Sequence, residues 1–188
     1  ATRWEGFGHE DWRYRDFRNR FGGLYWLVSL GGIHLVPTVF VYGATLPLRY
    51  AFVESSTAGL MTWAALLVVA GAIVLEAAAD VQMNRFLESR RDDTEILSDG
   101  LWGACRHPNY LGEVSFWWGL WLFALSLNGS SWWTVIGPVA MTVLFLTVSI
   151  PMLERRMERR KEGLEEYRAS VPALIPVPDF VRRAVGRS

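Results

Sequence analysis

Residues 106 to 113 read RHPNYLGE and stand at the head of an apolar run, VSFWWGLWLFALSL. Within those eight positions lie a guanidinium (Arg106), an imidazole (His107), an amide (Asn109), a phenol (Tyr110) and a carboxylate (Glu113). Pro108 suits the first turn of a helix, where its missing N–H leaves no bond unmade, so a helix is predicted to begin near 107 to 109. The unpaired N–H groups and positive dipole end of such a helix favour an anion. Arg106 adds a planar fork of donors matched to phosphate or carboxylate. Asn109 and Glu113 are four apart and therefore share a face. Taken alone, His107 before a proline reads most simply as a residue at a helix start. The cluster as a whole reads as one wall of a ligand cleft.

A second polar set follows another apolar run. Glu76, Asp80 and Asn84 repeat at a spacing of four and stack along one helical face. A carboxylate at the edge of an apolar segment is costly unless it faces other helices or water. The simpler reading is a solvated helix end paired with Arg85, Arg90 or Arg91. The ligand reading makes these residues the facing wall of the same cleft. A third set is the tail segment ERRMERRKEGLEEYR, with Arg155, Arg156, Arg159 and Arg160. Its simplest reading is an amphipathic surface helix held by local pairs, with Glu154 and Glu158 beside neighbouring arginines. The lone Cys105 excludes an internal disulfide, and His9, His34 and His107 lack zinc-ligand spacing. No metal is expected.

The elements that must position these groups are legible from hydropathy. Apolar blocks cover residues 24 to 48, 57 to 75, 114 to 127 and 131 to 153. A helix needs about 20 such residues to cross a hydrocarbon core. The third block reaches that length only if Tyr110 to Glu113 continue the helix. Trp26, Trp132 and Trp133 lie at block ends, as interfacial aromatics do. The expected fold is therefore all-α, a polytopic membrane bundle of about four transmembrane helices with an amphipathic C-terminal segment. Residues 1–23 form a basic and aromatic juxtamembrane segment, 24–153 the membrane domain and 154–188 a cap. Four crossings place Arg49, alone among 19 Lys and Arg, on one side, leaving 18 on the other. By the positive-inside rule that richer side is cytoplasmic, and both termini with it, in an inner or plasma membrane. Balanced net charge and membrane-bound apolar blocks give no reason to expect a nucleic-acid partner.

Two stretches, GLWGACRHPNYLGEVSFWWG and ERRMERRKEGLEEYRASVPALIPVP, resemble the C-terminal domain of the steroid 5α-reductases. With GHEDWRYRDFR and EAAADVQMNRF they resemble in particular the uncharacterised bacterial membrane branch of that superfamily. The likeness covers most of the chain. It implies a cofactor lodged between membrane helices under cytoplasmic segments, NADPH in the reductases. Carried over by motif, it puts Asp80, Asn109 and Glu113 on the cofactor, with Arg106, His107 and Tyr110 in the same local element and Glu76 and Asn84 beside them. By looser alignment Tyr167 and the arginines Arg155, Arg156, Arg159 and Arg160 close over it, with Arg13, Arg15 and Arg18 as further phosphate contacts. The reductases carry their catalytic Glu and Tyr on earlier helices, and no counterpart is found here. Tyr110 and Glu113 are the candidates for that role. The chain also starts without Met, so residues 1–23 are expected to link to further N-terminal helices. The expected activity is NADPH-dependent reduction of a conjugated C=C bond in a lipophilic substrate, such as a steroid or fatty enone. Isoprenylcysteine carboxyl methyltransferases share the architecture and an HPxY element. An S-adenosylmethionine-dependent methyltransferase using Glu76, Asp80 or Glu113 is therefore the alternative, and a non-enzymatic lipid-binding protein the third reading.

Overall fold

In a computed structural model the structure describes residues 12–53 and 57–176. Among them every regular element is helical. Helix α1 (Trp12–Phe21) leads through a 3₁₀ turn (Gly22–Leu24) and α2 (Tyr25–Val28) into a π-helical stretch (Ser29–Leu35) and α3 (Val36–Val53). Then come α4 (Leu60–Ser89), the single turn α5 (Leu101–Ala104) and α6 (Pro108–Leu127). A 3₁₀ segment (Gly129–Val135), α7 (Ile136–Leu144), a π turn (Phe145–Ser149) and α8 (Ile150–Glu158) form one further helical run, and α9 (Leu164–Ser170) closes the described chain. The N-terminal region 1–11 lies outside the described residues, so the expectation for its part of the juxtamembrane segment is not addressed.

Three helical runs are long and apolar enough to cross a membrane: Arg18–Val53, Leu60–Ser89 and Gly129–Glu158. Much of their surface is large apolar side chains that stand exposed, such as Trp26, Leu60 and Leu67. That is the pattern of a helix solvated by lipid. These runs, found among the described residues, fit the expected membrane helix bundle, and α6 is the apolar helix outside that set. It has 20 residues, enough to span, but its opening turns carry Asn109 and Glu113. It can afford them because it is the central helix, flanked by α4, α3 and α7 rather than by lipid.

The α4–α6 pair is antiparallel and close. A methyl group on Gly112 would sit 2.8 Å from Glu76 Cβ and 2.9 Å from the Ala72 carbonyl oxygen. One on Gly119 would meet Val69 at 2.8 Å. Near the far end Ser126 donates a hydrogen bond to Thr62 at 3.0 Å. Small residues at such contacts bring backbones together where lipid offers no hydrophobic force between helices. Gly137 does the same for the α3–α7 contact, 2.7 Å from Ala44 Cα.

Helix α4 outruns its apolar block. It continues to Ser89, roughly 45 Å in all against a core of about 30 Å. Its last turns therefore project past the boundary, where Ala79 and Gln82 hold the turn that leads into α6. Trp102 Nε1 donates to the Ala79 carbonyl at 3.1 Å, and Leu101 N–H donates to Gln82 Oε1 at 3.0 Å. Gly100 makes that turn at φ +59°, pressed against the Gln82 side chain.

Candidate functional site

The predicted residues separate into three clusters. The first lies on the α4–α6 contact. Helix α6 starts at Pro108, with His107 as its N-cap, as the sequence predicts. Glu76, Asp80, Asn84, Asn109 and Glu113 are all half-buried. Glu76 packs on Gly112 and lies within electrostatic reach of Glu113. The alternative pairing of this set with Arg90 does not occur, because Arg90 forms its ion pair with Asp93.

The second cluster joins the head of α6 to the C-terminal segment. Its centre is Glu154, near the end of the last apolar run. Arg106 Nε donates to Glu154 Oε1 at 2.9 Å, His107 Nε2 lies 3.1 Å from the same oxygen, and Arg168 Nη2 stands 3.0 Å from Oε2. Arg106 also donates to the carbonyls of Arg168 and Val171. Its backbone N–H and that of His107 donate to Pro172 and Ala173 at 2.8 and 3.1 Å. Arg106 therefore does not present a fork to an anion; its donors hold the chain end in place. The approach to α6 is likewise covered by residues 171 to 174, which fold back against it. Tyr167 donates its hydroxyl to the Trp102 carbonyl at 2.6 Å and is buried. Burial pushes its pKa up to about 12. Tyr167 is a clasp between α9 and α5 rather than a group turned toward a ligand.

His107 is buried, and that burial lowers its pKa below the usual imidazole value, against a smaller upward pull from Glu154. A neutral ring facing a carboxylate that accepts from two guanidinium groups carries its proton on Nε2 and donates it. Its other face stacks on Tyr110, ring centroids 5.4 Å apart at 14°. Tyr110 in turn meets Phe145 at 4.9 Å. Cys105 is fully buried, and burial raises its thiol pKa, so it is no nucleophile.

Sequence reasoning missed Glu154 and Arg168 as partners of RHPNYLGE. It had set Glu154 among local i,i+4 pairs, yet its partners lie 48 and 14 residues away. A signal was present. Glu154 directly follows an apolar block, the placement that singled out Glu76.

The third cluster is a cavity of about 550 Å³ between α1 and α8. Arg155, Arg156, Arg159 and Arg160 line it from α8, Arg15 and Arg20 from α1, together with Asn19 and the π-turn residues Thr147 and Val148. No acidic side chain lines it among the described residues. Of the looser candidates, Arg15 is thus placed with the α8 arginines. Arg18 instead lies over the Tyr25 ring at 5.1 Å. The side chain of Arg13 is outside the described set. Guanidinium groups gathered around one space offer donors suited to phosphate or carboxylate.

The family described as protein of unknown function DUF1295 matches residues 1–171. The chain belongs to the DUF1295 family. The match takes in the whole arginine cavity and the Glu154 network through Val171. No curated protein and no solved structure matches the chain.

Proposed function

We propose that this membrane protein is an NADPH-dependent reductase of a conjugated C=C bond in a lipophilic substrate. The observation that carries the reading is the cavity lined by six arginines at the C-terminal end of the last membrane helix. Its size lies within the roughly 300–1,000 Å³ typical of cofactor sites. Its donors match a dinucleotide's pyrophosphate and the 2′-phosphate, the one group that distinguishes NADPH from NADH. S-Adenosylmethionine has no phosphate and carries a sulfonium charge, which this lining repels, so the methyltransferase reading has less support.

The resemblance of RHPNYLGE and its flanking helix to the steroid 5α-reductases supports the same class of chemistry. Bound there, NADPH would supply a hydride. The chain's own residues would hold its phosphates on the α8 and α1 arginines and exclude water with the apolar wall of the bundle. The cavity-lining Thr147 and Val148 belong to the same π turn as Phe145, on which Tyr110 packs. Tyr110 and Glu113 remain the candidates for proton donation to the substrate.

The test is NADPH oxidation by purified protein with a panel of steroid and fatty enones, beside NADH and S-adenosylmethionine controls. Oxidation dependent on an enone and preferring NADPH is the expected result. Methyl transfer, or no turnover with any enone, overturns the reading. The charge distribution further orients the arginine-rich side toward the cytoplasm. Cysteines placed at positions 92 and 165 should then be labelled only from that side.

A further inference from the structure

The arginine cavity has two ends of different character. At one stand the α8 arginines, with Arg15 and Arg20 across from them on α1. At the other the lining is Thr147, Val148, Pro151 and Met152, which belong to the last membrane run. The Thr147 hydroxyl is taken by the Val143 carbonyl at 2.8 Å, so the side chains at this end present mainly apolar surface. Both walls continue into apolar side chains that face outward from the bundle. On the α8 wall Leu146 is 47% exposed and Val148 itself 49%. On the other wall α1 turns at Gly22 into Leu24, Trp26 and Leu27, all exposed.

Depth places the arginines level with lipid phosphates. The exposed Trp132 and Trp133 mark one interface of the last membrane run. About 20 residues on from Trp133, roughly 30 Å along the helix, the opposite edge of the hydrocarbon core falls close to residue 153. Arg155, Arg156 and Arg159 then stand roughly 3–9 Å beyond that edge, level with a headgroup layer about 5–7 Å thick. Basic pockets between membrane helices at this level bind anionic head groups. The two ends together select the ligand. A soluble phosphate would leave the Val148 and Met152 end unfilled. An uncharged lipid would bring no acceptor matched to the guanidinium donors. An anionic phospholipid serves both, its phosphate on the arginines and the start of an acyl chain along Val148.

We infer that this cavity is open to the bilayer at its apolar end and binds the phosphate of an anionic phospholipid, which competes there with the cofactor. The lipid site stands on the cavity alone; the competition rests on the reductase reading. A membrane supplies this ligand continuously, so the resting cavity is filled by lipid. Nucleotide entering from the aqueous side must displace the lipid phosphate from the same arginines. The anionic lipid content of the surrounding bilayer therefore sets how much nucleotide the chain holds.

The experiment uses the full chain in neutral detergent, read by native mass spectrometry, with phosphatidylglycerol, phosphatidylcholine and glycerol 3-phosphate as probes. Neutral micelles remove the general repulsion that an anionic membrane exerts on a nucleotide. Phosphatidylglycerol should bind saturably and about tenfold or more tighter than either of the others. Arg155→Gln with Arg159→Gln should weaken it about tenfold or more and leave phosphatidylcholine unchanged. Added NADPH should replace it, giving chains that carry one or the other at this site and not both. Phosphatidylglycerol no tighter than phosphatidylcholine, equal affinity for glycerol 3-phosphate, or full affinity in the double variant overturns the inference. The three-probe comparison on the unmutated chain decides the matter if the variant fails to fold. NADPH and arginine-dependent phosphatidylglycerol on the same chain overturns the competition. Selective lipid binding without NADPH binding keeps the lipid site and removes the cofactor from it. NADPH binding with phosphatidylglycerol no better than phosphatidylcholine does the reverse.

Discussion

Helix α8 carries charge on two faces with opposite fates. On one, Glu154 is enclosed by Arg106, Arg168 and His107, and Glu158 pairs with Arg168. On the other, Arg155, Arg156, Arg159 and Arg160 line a cavity with Arg15 and Arg20. The first face closes within the chain: Glu154 and His107 are buried, Arg168 bridges Glu154 and Glu158, and Arg106 is tied to backbone carbonyls. The second gathers arginines around an open volume. The first cluster holds the chain end to α6, whereas the second leaves room for a ligand. Several residues that looked chemical in the sequence, Arg106, His107 and Tyr167 among them, belong to the first kind.

The comparison breaks most sharply at Glu154. Replacing it with Ala leaves two guanidinium groups and an imidazole without their acceptor. Removing one member of such a buried set costs about 3–5 kcal/mol. Thermal unfolding should shift accordingly, and proteolysis should cut first within residues 159 to 176. A loss below about 1 kcal/mol would mean that this face is not the scaffold. On the opposite face, Arg155→Gln with Arg159→Gln should weaken NADPH about 100-fold, two charge-assisted contacts at about 1.5 kcal/mol each. Unfolding should move by no more than about 0.5 kcal/mol, as for surface changes generally. A large stability loss with unchanged affinity would reverse the roles assigned to the two faces.

Smaller effects sharpen the same contrast. Tyr167→Phe removes one buried hydrogen bond to the Trp102 carbonyl and should cost about 1 kcal/mol without touching cofactor affinity, read by denaturant unfolding and NADPH titration. The pH response should be the mildest difference. His107 has a folded pKa below its ordinary 6.5, so the unfolded chain takes up a proton that the folded chain resists. Its contribution is complete above about pH 6.5 and is lost as pH falls from there toward the folded value. Melting temperatures between pH 7.5 and 5.5 should decline, and His107→Gln should flatten that part of the profile. NADPH retention by the arginines should not follow this His107-dependent profile.

Much of the fold is visible in the amino-acid order because lipid imposes simple rules. Apolar length marked the spans, and Pro108 marked the head of α6. The spacing of Glu76, Asp80 and Asn84 carried the helix past its apolar block but did not show why it runs on to Ser89. They continue the helix because Ala79 and Gln82 brace the 98–102 turn. The candidate site was legible in part. Local spacing identified the residues of RHPNYLGE and of the α8 arginines. It could not show that Arg106 points to Glu154 and the α8 arginines to α1, because those partners are set by tertiary contacts.

The central claim is that the arginine face of α8 holds a phosphate-rich cofactor. Its most direct test is equilibrium binding to the purified chain of NADPH, NADH and S-adenosylmethionine, repeated over a range of salt concentrations. The account predicts that NADPH binds more tightly than NADH by the contribution of its 2′-phosphate, about 10-fold or more for one charge-assisted contact. That preference should shrink as salt screens the arginines and vanish in the Arg155 and Arg159 double variant. Equal binding of NADPH and NADH, or tighter binding of S-adenosylmethionine than of either, would contradict it.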